Sequence, residues 1–518
     1  MGSGFTGRRC PSGYGTAKER HHLRNHPAVL FTDSGVSDGI ASKKPLDTKN
    51  STTSFFQGLG IRDGIAVSVA GMAPTLAMNL NPQEPASHVG RLVPLVFAIC
   101  TLLLLLVAWC FAHLSRRHPN AGSAYGFVST VIGPRTGLIA GWALFGTYLA
   151  FVMCSIGAFG LFRSNMAARM HVPDHASTLE FTLVGALVIG ALCITSTRRA
   201  GWALILLEGI AVISMVILSC SVLWNVFQGR GPRVDPPLHD LFLPTDGVGA
   251  SAFALALSFG FLSFAGFEEV ATLGEEVTSP EKTIPQVLIG TILGAGLVFT
   301  LVTAAQVLGF GTDPSGMSRL THSSSLLGDL GTLYFGTACG DLMDILAIFS
   351  ALGGALASVV AASRILFALS RDLTPSSPLG RVALTTGTPM NASLLVIAIS
   401  FIGYITMRSI FHGSGSDAFF WGSTLGALSL LVAYFLVVLS AAISFIRNRG
   451  EENRFKILIP LIAGIAILYT FWVNVYPVQS GAYGVIPAIV ICWCLLPILL
   501  LLIKPDTVSL IRSGFLQK

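Results

Sequence analysis

The sequence predicts an all-α membrane protein of twelve transmembrane helices. They form a five-plus-five inverted repeat, with discontinuous helices 1 and 6, plus two extra helices. Three observations lead there. The 518 residues are 52% hydrophobic and only 11% charged, with a mean hydropathy of +0.71, whereas soluble domains carry about 25% charged residues. Twelve apolar stretches approach the roughly 20 residues that a spanning helix needs. They lie near 61–80, 92–114, 135–161, 178–197, 201–227, 250–275, 285–310, 340–371, 390–408, 418–446, 456–474 and 483–503. The first and sixth stretches are interrupted, and each opens a block of five, 55–228 and 250–447. Paired interruptions in corresponding segments mark an inverted-repeat transporter. Two parallel six-span halves would instead pair spans one and seven, and span seven, Ile284 to Gly309, has no comparable break.

Residues 1–54 are polar and lack an apolar signal region, so they read as a disordered cytoplasmic tail. Met1-Gly2-Ser3-Gly4-Phe5-Thr6 fits a myristoylation pattern, with Cys10 available for a second lipid, although a multispanning chain needs no such anchor. His21, His22 and His26 could hold a metal, or simply be solvated tail. In span one, Gly64 to Ala70 is a short helical run that Gly71-Met72-Ala73-Pro74 breaks. Proline clashes inside a helix but suits the first position of a new one. A second half-helix would then run to Leu80, before Asn81-Pro82; a Pro-kinked helix without a site is the alternative.

Residues 115–134 form a cytoplasmic loop, and the Pro- and Gly-rich connector 229–249 joins the repeats outside. Span six runs through SFGFLSFAGFEEVATLGEEVTSPEKTIP, Ser258 to Pro285. Gly260 and Gly266 interrupt its apolar run, and Glu268 and Glu269 follow before the expected exit near Glu275 and Glu276. Carboxylates at membrane depth face a cavity or a partner. The alternative is an ordinary helix whose polar end begins at Glu268. Thr283-Ile284-Pro285-Gln286 reads as a capping box that starts span seven. Residues 448–518 supply helices 11 and 12 and a cytoplasmic C-terminal tail.

The net charge of +6 reports topology. Loops with Arg116, Arg117, Arg135, Arg198, Arg199, Arg371, Arg381, Arg447 and Lys456 lie on one side, with both tails. The other side is poorer in cations, so both termini fall in the cytoplasm and the protein is multi-pass in the plasma membrane. No soluble domain remains to bind nucleic acid. Eight of the nine cysteines fall in or at the ends of spans, where Cys acts as a small apolar residue, so neither a disulfide framework nor a metal site is implied. There is no Gly-x-Ser-x-Gly elbow, no His-Glu-x-x-His and no phosphate-cradling Gly loop with Lys. An enzyme is not expected, and no cofactor.

Three motifs carry a family resemblance: Phe264 to Glu268 with Glu275-Glu276 and Ser279-Pro280…Thr283-Ile284-Pro285; Arg117-His118-Pro119-Asn120-Ala121-Gly122-Ser123-Ala124-Tyr125 with Gly133 and Gly141-Trp142; and Ala362-Ser363-Arg364…Leu369-Ser370-Arg371-Asp372. Taken in chain order, from about residue 60 to 450, they resemble amino acid–polyamine–organocation permeases. The resemblance implies that substrate main chain lies between the two breaks. Many members have Gly-x-Gly-Ile-Phe at the first break; this chain departs from that with Ala70-Gly71-Met72-Ala73-Pro74-Thr75. A member that exchanges arginine for agmatine has an aromatic lid at the position of Leu262. Leucine makes no cation–π contact, so a guanidinium substrate is less favoured. The loop at 115–134 would be part of an inward gate, or a helix-ending turn with positive-inside arginines.

A broken helix exposes what solute binding needs. Free N–H groups and the positive dipole end near Ala70, Gly71, Met72 and Ala73 suit a carboxylate, and free carbonyls from Phe261 to Ala265 suit an ammonium. The candidate substrate site is therefore Ser68, Ala70, Gly71, Met72, Ala73 and Thr75 with Phe261, Leu262, Ser263, Phe264, Ala265 and Gly266. Tyr148 is placed opposite, and residues outside the breaks are better explained by helix packing than by ligand contact. Glu268 is a candidate gate or proton carrier. Glu208, roughly 12 Å deep in span five, is expected to pair with Arg364, roughly 10 Å deep in span eight, because the resemblance makes those spans neighbours. Some proton-coupled relatives carry a lysine in span five; this chain has none between Lys49 and Lys282. Coupling to H+, coupling to Na+ near Ser358, and simple exchange all stay open. The expected function is secondary active transport of amino acids or related small amines across the plasma membrane by alternating access. The alternatives are a polyamine or organocation permease and a non-transporting membrane receptor of the same fold. Expected partners are the small substrate and the lipid bilayer; oligomeric state is left open.

Overall fold

The computed structural model describes residues 2, 60–118, 124–171, 178–194, 197–230, 241–242, 247–272, 277, 279–373, 377–381, 389–447 and 454–503. The chain divides into two units, residues 1–52 and 53–518, and every described helix belongs to the second. The tail at 1–54 with its histidines and acylation pattern lies outside the described residues, apart from Gly2. So do Pro119 to Ser123 of the second motif, Glu275-Glu276, most of the 229–249 connector, and the C-terminal tail beyond 503.

The chain is helical throughout its long elements. α1 (Ile61–Met72) and α2 (Pro74–Leu80) are separated by a single residue, Ala73, at φ 44° and ψ 59°. That left-handed residue stops α1, and Pro74, with no N–H to lose, starts α2. α2 ends at Leu80, as the Asn81-Pro82 pair predicts. After α3 (Gln83–Val89) come α4 (Val93–Arg117), α5 (Ala124–Val131), α6 (Pro134–Arg169), α7 (Thr178–Ile194) and α8 (Thr197–Asn225). α9 (Ala250–Ser263) unwinds through Phe264 to Glu268 before the one-turn α10 (Glu269–Thr272). The remaining helices are α11 (Pro280–Phe310), α12 (Pro314–Thr321), α13 (Leu326–Phe335), α14 (Thr337–Leu373), α15 (Met390–Phe411), α16 (Gly415–Arg447), α17 (Leu458–Val475) and α18 (Ala482–Ile503).

Among the described residues, nine helices are long and apolar enough to cross a membrane, and two shorter apolar helices lie at 179–194 and 250–263. The protein is thus a multi-pass, all-helical membrane protein. Two expectations need correction. Gly260 lies inside α9 and interrupts nothing; a Cβ there would collide with Cys100 Sγ, so the glycine serves close packing. Span seven starts earlier than the expected capping box. Ser279 precedes Pro280 at the head of α11, and Pro285 lies inside the helix, where the loss of one hydrogen bond near the end is tolerated.

α6 is the central helix: 89% of its apolar window is buried, against 28% for α15. It packs on α14 and α16, while α4 packs along α11. In a bilayer such contacts rest on close fit, which small residues allow. Gly146 and Gly157 on α6 lie under Trp493 and Tyr404, where a Cβ would run into ring atoms. Contacts also fall in corresponding sets. α6 meets α16 and α14 meets α8; α4 meets α9 and α11 meets α1. α6 meets α7 and α14 meets α15; α5 meets α16 and α13 meets α8. α17 and α18 pack outside this set, against α16.

Candidate functional site

The two breaks meet backbone to backbone. Gly266 has φ +104°, and a Cβ on it would collide with the carbonyl carbon of Gly71 and sit 2.7 Å from the nitrogen of Met72. Only glycine satisfies both the dihedral and the space. Gly71 in turn lies against the Glu269 carboxyl group, 2.5 Å from where its Cβ would be.

A bilayer offers no water to unpaired backbone groups, so each break must be filled from within. At the start of α2, the Thr75 N–H donates to Glu208 Oε1 at 3.4 Å and the Leu76 N–H to Ser350 Oγ at 3.1 Å. The Ser350 hydroxyl donates onward to the same Glu208 oxygen at 3.0 Å. Glu208 thus caps α2 from α8, and Ser350 from α14. At the second break the Gly266 N–H donates to Glu268 Oε2 at 3.0 Å. Glu268 also accepts from the hydroxyls of Tyr148, at 3.1 Å, and Tyr434, at 2.8 Å. The Ser68 hydroxyl donates to the Phe267 carbonyl at 3.0 Å, which ties α1 to the unwound segment. Glu208, Glu268 and Glu269 are all buried.

Between the breaks lies a cavity with about 50 Å³ of room for water-sized groups; one water needs about 10–15 Å³ on that measure. Gly71, Met72, Ala73, Leu262 and Ala265 line it from the breaks, α6 adds Phe151, Cys154 and Ser155, and α14 and α16 add Gly354, Ser358, Phe419 and Ser423. Leu76 and Ala77 of α2 and Asn81 just beyond its end close it. No charged side chain is among its described lining residues.

The sequence over residues 67–506 matches the family model described as Amino acid permease. The chain belongs to that family, and so to the amino acid–polyamine–organocation superfamily. It is 25% identical to the branched-chain amino acid permease BcaP of Lactococcus lactis subsp. cremoris, over 81% of this chain and 90% of the relative. It is 24% identical to the low-affinity putrescine importer PlaP of Escherichia coli, over 74% and 80%, respectively. Amino-acid permease RocC of Bacillus subtilis is 23% identical over 77% and 84%.

In this permease the expected site residues divide. Gly71, Met72, Ala73, Leu262, Ala265 and Ser358 line the cavity. Gly266 is in the backbone contact between the breaks, and Ala70 only accepts the Ala73 N–H within the end of α1. Ser68 is committed to Phe267. Phe261 and Phe264 are fully buried, the latter edge-on to Phe299 with centroids 4.9 Å apart. The Ser263 hydroxyl donates to the Phe259 carbonyl and accepts from Asn81 Nδ2. Tyr148 faces Glu268 and does not line the cavity.

Two expectations are corrected. The amides of Gly71 and Met72 lie within α1 and that of Ala73 donates to Ala70, so the open donors of the first break belong to Thr75 and Leu76, and protein groups already occupy them. Nor does Glu208 pair with Arg364. Its partners are Ser350 and the Thr75 amide, and the Arg364 charge acts instead on Glu269. Matching depth does not fix the direction in which a helix points its side chain. Sequence reasoning missed Glu269, Tyr434, Ser350, Phe151, Ser155, Phe419 and Ser423. Only Glu269 carried a signal, as a second carboxylate at membrane depth.

A second polar cluster borders α2. Asn79 Oδ1 accepts from the Ser325 hydroxyl at 2.9 Å and from the Leu327 N–H at 2.8 Å. Arg169, at the end of α6, pairs with Asp329 on α13 and with Asp341 and Asp344 on α14.

Proposed function

We propose that the protein is a secondary active transporter that moves a small neutral amino acid across the cell membrane by alternating access. The observation that carries this is the cavity between the breaks: it is small, residues of both broken helices line it, and its described side chains are uncharged, being apolar or hydroxyl-bearing apart from the Cys154 thiol and the Asn81 amide. Backbone at a helix break can bind the charged ends that all amino acids share, and an uncharged lining then selects a short apolar side chain. The similarity to a branched-chain amino acid permease points the same way. In this proposal Glu208 and Glu268 fill the broken ends when no substrate is bound, and a substrate carboxylate takes over the amides of Thr75 and Leu76.

The proposed architecture is twelve spans in a five-plus-five inverted repeat. The corresponding contact sets support it, since each contact goes over into its counterpart when the two five-helix blocks are exchanged. The positive-inside distribution supports cytoplasmic termini. Glu268, held between Tyr148 and Tyr434, is the proposed gate and the proposed carrier of a coupling proton; Ser358 is the proposed hydroxyl ligand if Na+ is the coupling ion instead.

One observation favours a second substrate class. Glu208 Oε2 and Glu269 Oε1 are buried without a hydrogen-bond partner near the first break, as an amine site would require, and a putrescine importer is among the relatives. Counterflow in proteoliposomes separates the possibilities. Labelled leucine, valine or alanine should exchange against its unlabelled form, and putrescine should not compete. Exchange of putrescine alone would replace the neutral amino acid with an amine. Binding of either without counterflow would make the protein a receptor.

A further inference from the structure

The lining of the cavity between the breaks includes a polar atom whose chemistry is fixed by its surroundings. Asn81, just past the end of α2, lines the cavity and is 4% exposed. Its Nδ2 donates to Ser263 Oγ at 2.9 Å, and the Ser263 hydroxyl gives its own proton to the Phe259 carbonyl at 2.7 Å. With that proton committed, Ser263 Oγ only accepts, so the amide must present its nitrogen there. Turning the amide over would set two acceptors against each other. Oδ1 is therefore left over, buried and without a hydrogen-bond partner among the described residues. Ser358 Oγ lines the same cavity and is also unpartnered among them. A hydroxyl can give or take, however, so it specifies neither, whereas an amide oxygen only accepts.

A buried acceptor left bare is costly, and nearly all such groups find a donor. Water entering the cavity would supply one, and a substrate that displaces that water must reproduce its hydrogen bond or lose affinity. Position indicates which part of a substrate does so. A carboxylate on the amides of Thr75 and Leu76 would lie at the start of α2. Asn81 follows Leu76 by five residues, roughly 7 to 8 Å of helix rise. The α-amino group shares a carbon with the carboxylate and stays near it, while the side chain extends away. The room is about 50 Å³ for water-sized groups, which suits a hydroxyl better than a carboxamide, and Phe151 and Phe419 of the same lining are apolar surface for a methyl group. We propose that Asn81 Oδ1 accepts a hydrogen bond from a side-chain hydroxyl of the substrate, so that the transporter prefers threonine and serine to valine and alanine. The inference rests on the neutral amino acid reading above and narrows it.

The test is competition for counterflow of labelled alanine in proteoliposomes of the full chain. Threonine and valine have the same shape and differ by a hydroxyl in place of a methyl group. Against wild type, threonine should compete at least about tenfold better than valine, because a site built to pair a hydroxyl disfavours the analogue that lacks it. In Asn81→Leu that ratio should fall to about one, through weaker competition by threonine and with valine competing no worse than before. A purely structural role for Asn81, or a bond to the α-ammonium that both competitors share, would weaken both alike and keep their ratio, and that result would overturn the proposal. Should Asn81→Leu fail to fold, the wild-type ratio decides alone: valine competing as well as threonine overturns the hydroxyl preference and leaves the neutral amino acid reading standing. Competition by putrescine, with none from threonine, valine or unlabelled alanine, would overturn that reading and this inference with it.

Discussion

The two breaks solve one problem in opposite ways. At the first, a single residue, Ala73, separates two helices, and the exposed amides of α2 are capped by Glu208 and Ser350 from α8 and α14. At the second, the segment from Phe264 to Glu268 is unwound, and its amides are met nearby: Ala265 by Leu262, Phe267 by Phe264, Gly266 by Glu268. The first break is held from other helices and the second largely by itself. A rearrangement of α8 or α14 therefore registers at once in the start of α2. The second break can keep its shape as its surroundings change, with Tyr148 and Tyr434 reporting through Glu268.

Alanine at the two contact glycines should separate the breaks most. Gly266→Ala places a methyl group into the backbone of Gly71 at a dihedral that alanine avoids. It should abolish uptake, at a cost of about 4 kcal/mol or more in stability. Gly71→Ala meets the Glu269 carboxyl first, a side-chain end that can move, and should leave measurable uptake. Equal uptake by both, measured at equal surface expression, would remove the asymmetry.

Next in size are the capping carboxylates. Glu268→Ala strands two buried tyrosine hydroxyls and one amide, and should destabilise by about 3 kcal/mol or more. Glu208→Ala should cost about 1–3 kcal/mol, because it loses a helix cap from outside. Thermal unfolding in detergent reads the order, and a larger loss for Glu208→Ala would reverse it.

A smaller effect tests the charges. A double-mutant cycle of Glu269→Gln with Arg364→Gln should show coupling of about 0.5–3 kcal/mol, while Glu208→Gln with Arg364→Gln should add to within roughly 0.5 kcal/mol. Coupling confined to the Glu208 cycle would restore the pairing that depth alone suggests. The smallest stability change belongs to Glu268→Gln, which keeps an acceptor oxygen. Its effect should appear in the pH dependence of uptake; an unchanged profile at an unchanged rate would exclude Glu268 as a proton carrier.

Both breaks are legible in the sequence because proline and glycine act on their own backbone: Pro74 begins α2, and Gly266 holds a left-handed dihedral. What fills the breaks is not legible. Ser350, Tyr148 and Tyr434 lie far along the chain, and nothing local marks a serine or tyrosine as a cap. Depth alone gives Glu208 the wrong partner, because rise along a helix fixes depth whereas each residue also turns about 100°. Direction also separates Glu268, at the end of the unwound segment, from its neighbour: one carboxylate reaches the tyrosines and the other lies against Gly71. The cavity lining from α6 and α16 consists of small or aromatic residues that elsewhere would be ordinary packing.

The glycine-to-glycine contact also sets a mechanical ratio. α1 has 12 residues and ends at Met72, beside that contact, so at 1.5 Å per residue it is a rod of about 18 Å pivoted at one end. Swinging it by about 10° moves its far end, near Ile61, through about 3 Å, roughly the diameter of a water molecule, while the atoms at the pivot shift by a small fraction of that. With no side chain between the two backbones, there is little to compress and little slack to take up. A small rotation about that contact would become a displacement of several ångströms at the other end of the helix.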